Sequence, residues 1–338
     1  MKNGHFSPAE SPLWQEAERT RPGTLATLAA AATSDQVPPV SGSSTADDPE
    51  LGLTTKVLCR LHDGHAVESV AIPMAGMAGV ANDSAPRAAH HYTACVSSQV
   101  GCRMGCTFCH TARMGLIRSL RAYEIVAQVL AVQRATGIPP RNVVFMGMGE
   151  PLDNIHEVAA AIRVLTDPGG LAIRHRHLCI STVGRADILA QWVALGLSRV
   201  NLAVSLTAAD DQLRTELMPV NRLHPLAELR QTLERIPVRP GRHILLSCVV
   251  IPGVTDSPAQ VTALTQWVRG LPAMINLIPY NPIPSRSWRA PTWAEIERVR
   301  TVLAAAGLAV RVRLTKGDAV MAACGQLGDP GQRFRRSA

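Results

Sequence analysis

From His91 onward the chain alternates short apolar runs with longer stretches in which apolar residues recur every three or four positions. The short runs, bounded by Gly, Pro and Asn, predict buried strands, and the longer stretches predict helices with one face against a sheet. Strands are expected over Tyr92–Ser97, Asn142–Met146, Leu178–Ser181, Val200–Ser205, Ile244–Ile251, Asn276–Pro279 and Ala309–Leu314. Helices are expected over Arg121–Thr136, Ile155–Leu165, Ala186–Leu195, Pro225–Ile236, Pro258–Arg269 and Trp293–Ala306. Strand–helix alternation of this kind builds an α/β fold with a parallel sheet and helices outside it. About six such units fit a partial or full (β/α) barrel better than a doubly wound sheet. No Gly-x-Gly-x-x-Gly turn opens the first unit, so a dinucleotide site lacks its main sequence support.

Ahead of the barrel, Lys56–His62, the turn Asp63–Gly64 and Ala66–Pro73 predict a β-hairpin, and Met74–His90 reads as a linker. Residues 1–54, rich in Ala, Ser, Thr, Pro and Gly, read as a flexible leader with a short helix over Ser11–Arg19. The organisation expected is therefore a leader (1–54), hairpin and linker (55–90), barrel with a C-terminal catalytic segment (91–328) and a basic tail (329–338).

Composition narrows the function. With 46% hydrophobic residues the 338-residue chain can bury a large core. No apolar run is long enough to span a bilayer, and the amino-terminal segment is polar, so neither a membrane segment nor a secretory signal is expected. That reading points to the cytoplasm. The net charge of +8 suggests an anionic partner, nucleic acid first among them. Lysine occurs only at Lys2, Lys56 and Lys316, so the positive charge is almost all arginine, whose planar fork suits phosphate. A G+C-rich genome would give the same bias.

Just after the first barrel strand comes Cys102-x-x-x-Cys106-x-x-Cys109. Three thiolates can hold three irons of a cubane 4Fe-4S cluster and leave the fourth iron open for a chelating substrate. Gly101 and Gly105 give the backbone room to wrap closely, and Phe108 would shield the group from solvent. The alternative is a structural zinc with Cys95 or His110 as fourth ligand, although a second Cys-x-x-Cys pair is missing.

With its surroundings this loop resembles the radical S-adenosylmethionine (SAM) superfamily. The string Cys95-Val-Ser-Ser-Gln-Val-Gly-Cys102 resembles the RlmN/Cfr adenine methyltransferases, as do Phe145–Pro151, Leu277–Pro282, Ala322–Leu327 and Val67–Pro73. The resemblance runs from about Lys56 to Leu327 and implies a partial TIM-like barrel of the radical SAM type. It implies that Cys102, Cys106 and Cys109 bind one 4Fe-4S cluster whose open iron binds SAM. Gly149 and Glu150 would meet the amino group of SAM, while Ser181, Ser205, Leu206, Thr207 and Asn281 would contact the rest of the cofactor. Cys324 would carry a methyl group received from one SAM, and a second SAM would generate the radical that activates it. Cys95 would release the product by attacking Cys324, leaving a disulfide, with Glu68 as a proton acceptor. The reaction implied is methylation of adenine carbon-2 in 23S ribosomal RNA, with transfer RNA as a further target. A monomer served by a flavodoxin or ferredoxin is expected.

The resemblance has gaps. Thr207 stands where the family usually has His in Ser-Leu-His-Ala, and the strand at Ser247-Cys248 lacks an aromatic hydroxyl. Gly317–Met321 has lost much of the family's acidic pattern, and the helical accessory domain is not evident in residues 1–50. A diverged enzyme acting on a small adenine-containing or natural-product molecule is the alternative. Basic stretches at Arg174–His177 and Arg333–Arg336 offer compensating phosphate contacts, or are simply solvated.

Overall fold

The computed structural model describes residues 15, 19, 40–48, 52–74 and 91–334. Strand β1 (Val40–Asp48) pairs antiparallel with β2 (Gly52–Arg60), β2 with β3 (Ala66–Met74), and β3 with β4 (His91–Cys95). Next, β5 (Gln99–Cys102) and β6 (Gly115–Ser119) form a separate antiparallel hairpin. Parallel neighbours then follow β4 in the main sheet: β7 (Asn142–Phe145), β8 (Leu178–Thr182), β9 (Asn201–Ser205), β10 (Ile244–Val250), β11 (Ala273–Pro279) and β12 (Val310–Val312). The sheet has ten strands, ordered β1-β2-β3-β4-β7-β8-β9-β10-β11-β12.

Crossovers carry α1 (Ala122–Thr136), α2 (Ile155–Thr166), α3 (Ala186–Leu189), α4 (Asp211–Leu217), α5 (Leu226–Glu234), α6 (Pro258–Val268) and α7 (Trp293–Ala305). The parallel strands are covered on both faces, and Val143, Ile180, Val204, Leu246 and Ile275 are buried in one core with Ile125, Val129, Ile162 and Leu229 of the helices. Double coverage explains why these strands read as unbroken apolar runs rather than alternations. Among the described residues no helix is long and apolar enough to cross a membrane.

Three expectations need correction. Residues 40–48 and 52–54, assigned to a flexible leader, are strand. The sequence Val-Ser-Gly-Ser-Ser-Thr-Ala-Asp-Asp has no alternation of its own; pairing with β2, from Asp48↔Gly52 to Val40↔Cys59, extends it. Secondly, α3 stops at Leu189 rather than Leu195, because the chain tightens into three-residue bonds, Gln191 N to Ile188 O and Trp192 N to Leu189 O. Trp192 nonetheless stays buried, so the apolar spacing was genuine and only the winding differs. Thirdly, α4 and the β5–β6 hairpin have no counterpart in the pattern: both are short, and the hairpin's strands flank the cysteine motif. The linker residues 75–90, the helix at Ser11–Arg19 apart from Gln15 and Arg19, and the arginine side chains of Arg333–Arg336 lie outside the described residues.

Beyond β12 the chain turns back across the barrel. Lys316 Nζ donates to Pro73 O (2.6 Å), Gly328 N to Glu68 Oε2 (2.8 Å), and Ala66 N to Gln332 Oε1 (2.8 Å). This strap joins the last parallel strand to the β2–β3 hairpin through side-chain bonds where no strand ladder closes the barrel.

Candidate active site

Every parallel strand ends on the same rim, where chemistry sits in such barrels. One cavity there is lined by Cys102, Cys106, Cys109, Glu150, Thr207 and Cys324, among others. The cysteine loop enters it from the β5–β6 hairpin. Gly101 has φ +77°, and a Cβ at that position would lie 1.9 Å from Gly115 O, so only glycine lets the hairpin close behind Cys102. Thr107 N bonds to Leu217 O (2.9 Å), fixing the loop against the end of α4.

Burial raises the thiol pKa of all three cysteines, to about 12 for Cys102. For Cys106 the Cys109 and Cys102 charges raise it further. Three thiols crowded at one rim, each disfavoured as a thiolate on its own, are stabilised in that form by a cationic occupant, and that donor chemistry fits an iron–sulfur cluster. Among the described residues no three His, Cys, Asp or Glu side chains converge on a single ion position.

Glu150 follows β7 on the Gly-Glu-Pro turn. Its backbone N donates to Gln99 Oε1 (2.9 Å), while Leu152 N and Val183 N donate to its two carboxylate oxygens at 3.0 and 2.9 Å. Burial nevertheless outweighs these donors and lifts its pKa to about 7. A buried carboxylate of this kind gains from an ammonium partner. Gly149 adopts φ +99°, and a Cβ there would meet Gln99 N at 2.8 Å.

Ser181, Ser205, Thr207 and Asn281 also line the cavity. Thr207 has φ +59°, unusual for a β-branched residue, and its buried Oγ1 has no hydrogen-bond partner among the described residues. An orphaned hydroxyl held in strained backbone is the mark of a ligand-facing position. Leu206 differs: it is buried in the core outside the cavity wall, its N donating to Ser247 O and its O accepting from Arg214 Nε. It reaches the site only by positioning its neighbours. Asn281 is partly committed elsewhere, since Nδ2 donates to Cys324 O (3.0 Å) and Oδ1 accepts from Thr315 Oγ1 (3.1 Å).

Cys324 lies on the strap, held on several sides rather than on a loose arm. His110 N donates to Gly325 O (2.7 Å) and Thr111 Oγ1 to Leu327 O (2.6 Å), so the cysteine loop itself grips the residues flanking Cys324. Cys95, at the end of β4, is buried behind the lining, and burial followed by the Cys324 charge pushes its thiol up to about 12. Glu68 sits outside the cavity wall as well. Its carboxylate is paired with Lys56 Nζ at 3.2 Å and accepts from Gly328 N, so here it anchors the strap. All eight cysteines are present as free thiols.

Three residues escaped the sequence reading. Ser247 lies on β10 directly opposite Ser205 of β9 and lines the cavity; the signal was a polar residue at matching height in an apolar strand. Arg313, just past β12, lines the cavity, donates to Met146 Sδ (3.5 Å), and lies within the electrostatic reach of Cys324, Cys95 and Cys179. Arg214 of α4 is fully buried: it donates to Leu206 O, Asn221 Oδ1, Val183 O and Ser205 O at 3.2, 2.6, 2.8 and 3.3 Å. Its charge, facing Cys106, binds together the strand ends that carry Ser205 and Thr207. No local pattern distinguishes a buried arginine from a solvated one.

Comparison with known proteins agrees with this arrangement. The radical SAM superfamily matches residues 96–264. The dual-specificity RNA methyltransferase RlmN of Phenylobacterium zucineum is 42% identical over 295 residues, covering 84% of this chain and 72% of that protein. Its namesake from Syntrophobacter fumaroxidans is 43% identical over 277 residues, covering 81% and 76%. Among solved structures, a radical SAM methyltransferase from Sphaerobacter thermophilus superposes with a TM-score of 0.77 at 36% identity, covering 92% of this chain and 87% of that one. With a partial parallel barrel, a three-cysteine loop at its rim and identity of this extent, the chain belongs to the radical SAM superfamily and, within it, to the RlmN/Cfr family of methyltransferases.

Proposed function

We propose that this enzyme methylates carbon-2 of adenine in 23S ribosomal RNA, and in transfer RNA, through an S-methylcysteine at Cys324, consuming two SAM molecules per turnover. It would act in the cytoplasm as a monomer served by a flavodoxin or ferredoxin. The observation that supports this reading is that Cys324 shares one cavity wall with Cys102, Cys106 and Cys109, on a strap bonded to the cysteine loop at Gly325 and Leu327.

Bound at Cys102, Cys106 and Cys109, a 4Fe-4S cluster with SAM supplies one-electron chemistry that generates a primary carbon radical. Glu150 would receive the ammonium of SAM, and the hydroxyls of Ser181, Ser205 and Thr207 its neutral polar edge. Carbon-2 of adenine is electron-poor, so polar displacement by a methyl cation donor is mismatched there. A one-carbon unit carried on Cys324 Sγ avoids that mismatch and gains from being held beside the base. Release follows from a second thiol: Cys95 attacks Cys324 Sγ, the sulfur–carbon bond to the base breaks, and the carbon takes a proton to become the methyl group. The resulting Cys95–Cys324 disulfide is reduced by an external dithiol before the next turnover. Glu68 is the proton acceptor in this reading, a role that requires exchange of its bonds to Lys56 and Gly328.

Mass spectrometry of RNA from a deletion strain tests the substrate: 2-methyladenosine is expected to disappear, and an unchanged level would sink the proposal. Peptide mass of Cys324 tests the intermediate separately, with one added methyl group expected on enzyme isolated with its cluster. Cys95→Ala is expected to leave RNA covalently attached to the protein, visible as a denaturant-resistant band in a gel.

A further inference from the structure

The opposite end of the barrel carries a second feature. Ahead of four adjacent parallel strands the connecting loops each present arginine: Arg141 before β7, Arg174 and Arg176 before β8, Arg199 before β9, and Arg239 and Arg242 before β10. All six side chains are exposed. Arg176, Arg199, Arg239 and Arg242 line one cleft, together with His243. Asparagines stitch the loops into register: His177 Nδ1 contacts Asn142 Oδ1 (2.8 Å), and Asn201 Nδ2 donates to Arg176 O (2.9 Å).

No carboxylate among the described residues neutralises this charge. None of the six arginines forms an ion pair among the described residues. The acids that close the helices on this face are already engaged, Asp167 by Gly169 N (2.8 Å) and Glu234 by Arg230. The two histidines report the same field. Burial and then Arg141, Arg176, Arg174 and Arg242 lower the pKa of His177, while burial and then Arg199 and Arg239 lower that of His175. Six like charges held this close on fixed loops repel one another, and a polyanion with regularly spaced charges relieves that cost.

We propose that the amino-terminal rim of the barrel is a second RNA-binding surface, gripping the phosphate backbone of a folded RNA far from the base being methylated. Along β10, seven residues long, the two rims are separated by about 20 Å at about 3.3 Å per residue. A nucleoside in the cavity cannot touch this rim; an RNA with tertiary structure can reach both. The surface rests on the reading of RNA as substrate and adds a selection to it, in favour of large folded RNA over small adenine compounds.

Binding of a folded 23S ribosomal RNA fragment and of a short unstructured oligonucleotide, each containing the target adenine, tests the inference. Both are titrated against cluster-loaded enzyme between about 50 and 200 mM salt. For Arg239→Gln/Arg242→Gln the salt slope for folded RNA is expected to fall by about 0.7 to 0.9 per arginine lost, and the affinity by about tenfold. Arg239→Lys/Arg242→Lys is expected to retain both, showing that charge matters rather than loop shape. The oligonucleotide's affinity and methylation of Cys324 are expected to be unchanged in every variant. Wild-type binding of folded RNA by the Gln variant overturns the second surface while leaving the RNA substrate intact. Wild-type enzyme that binds both RNAs equally weakly and without salt dependence overturns the substrate reading itself, and this surface with it.

Discussion

Glu150 is a carboxyl caught between two demands. Two backbone N–H groups favour its charge, yet burial wins and holds its pKa at about 7. A carboxyl raised above its unfolded value favours folding while protonated; that contribution is complete below about pH 4 and is lost as pH rises through about 7. The ligand-free enzyme is therefore expected to lose melting temperature between about pH 5 and 8, and Glu150→Gln to flatten that profile. With SAM present the ranking inverts: the variant is expected to bind SAM about tenfold or more weakly in a direct binding assay, having lost a charge-assisted contact. Arg214 poses a stability question instead. Arg214→Met strips donors from three carbonyls and one amide oxygen, and is expected to cost about 3 kcal/mol or more in urea unfolding, with Arg214→Lys intermediate. Of these two residues only Glu150 was legible in the sequence, because a motif named it. Arg214 acts through a cage of backbone carbonyls brought together by β8 and β9, and distance along the chain hides such a cage.

At the scale of elements, the apolar runs predicted β7, β8, β9 and β10 to within a residue or so, since strands buried on both faces must be apolar throughout. Elements held by partners rather than by their own composition were illegible: β1 exists by pairing with β2, and β5 by closing against Gly115. The strap is the clearest case. No apolar period marks it in the sequence, yet the fold supplies Lys316, Asn281, Thr111 and Glu68 as fastenings. Glu68→Gln and Lys316→Met are each expected to speed amide hydrogen exchange over residues 316–328 by about tenfold while leaving β7–β10 unchanged. Equal exchange in both variants would show that the side-chain bonds contribute nothing to holding Cys324.

For the whole molecule, one rim carries thiols, hydroxyls and a buried carboxylate, and the other carries arginine. Both rims were partly visible as motifs in the chain; what joined them into surfaces was the parallel register, which brings loops separated by tens of residues side by side. The thiol rim is also where folding and cofactor loading meet, because a group that binds only the native loop stabilises the native fold by mass action. Cluster-loaded enzyme is expected to melt at least several degrees above the cluster-free form under anaerobic calorimetry, and Cys106→Ala to abolish that difference without lowering the cluster-free value by more than a degree or two.

The bonds from His110 N to Gly325 O and from Thr111 Oγ1 to Leu327 O impose a sequence of maturation. The docking site for the strap is the cysteine loop itself, so Cys324 reaches its working position only after that loop has taken its final shape. Strap and cysteine loop therefore order together, and a variant that loosens one is expected to loosen the other in amide hydrogen exchange.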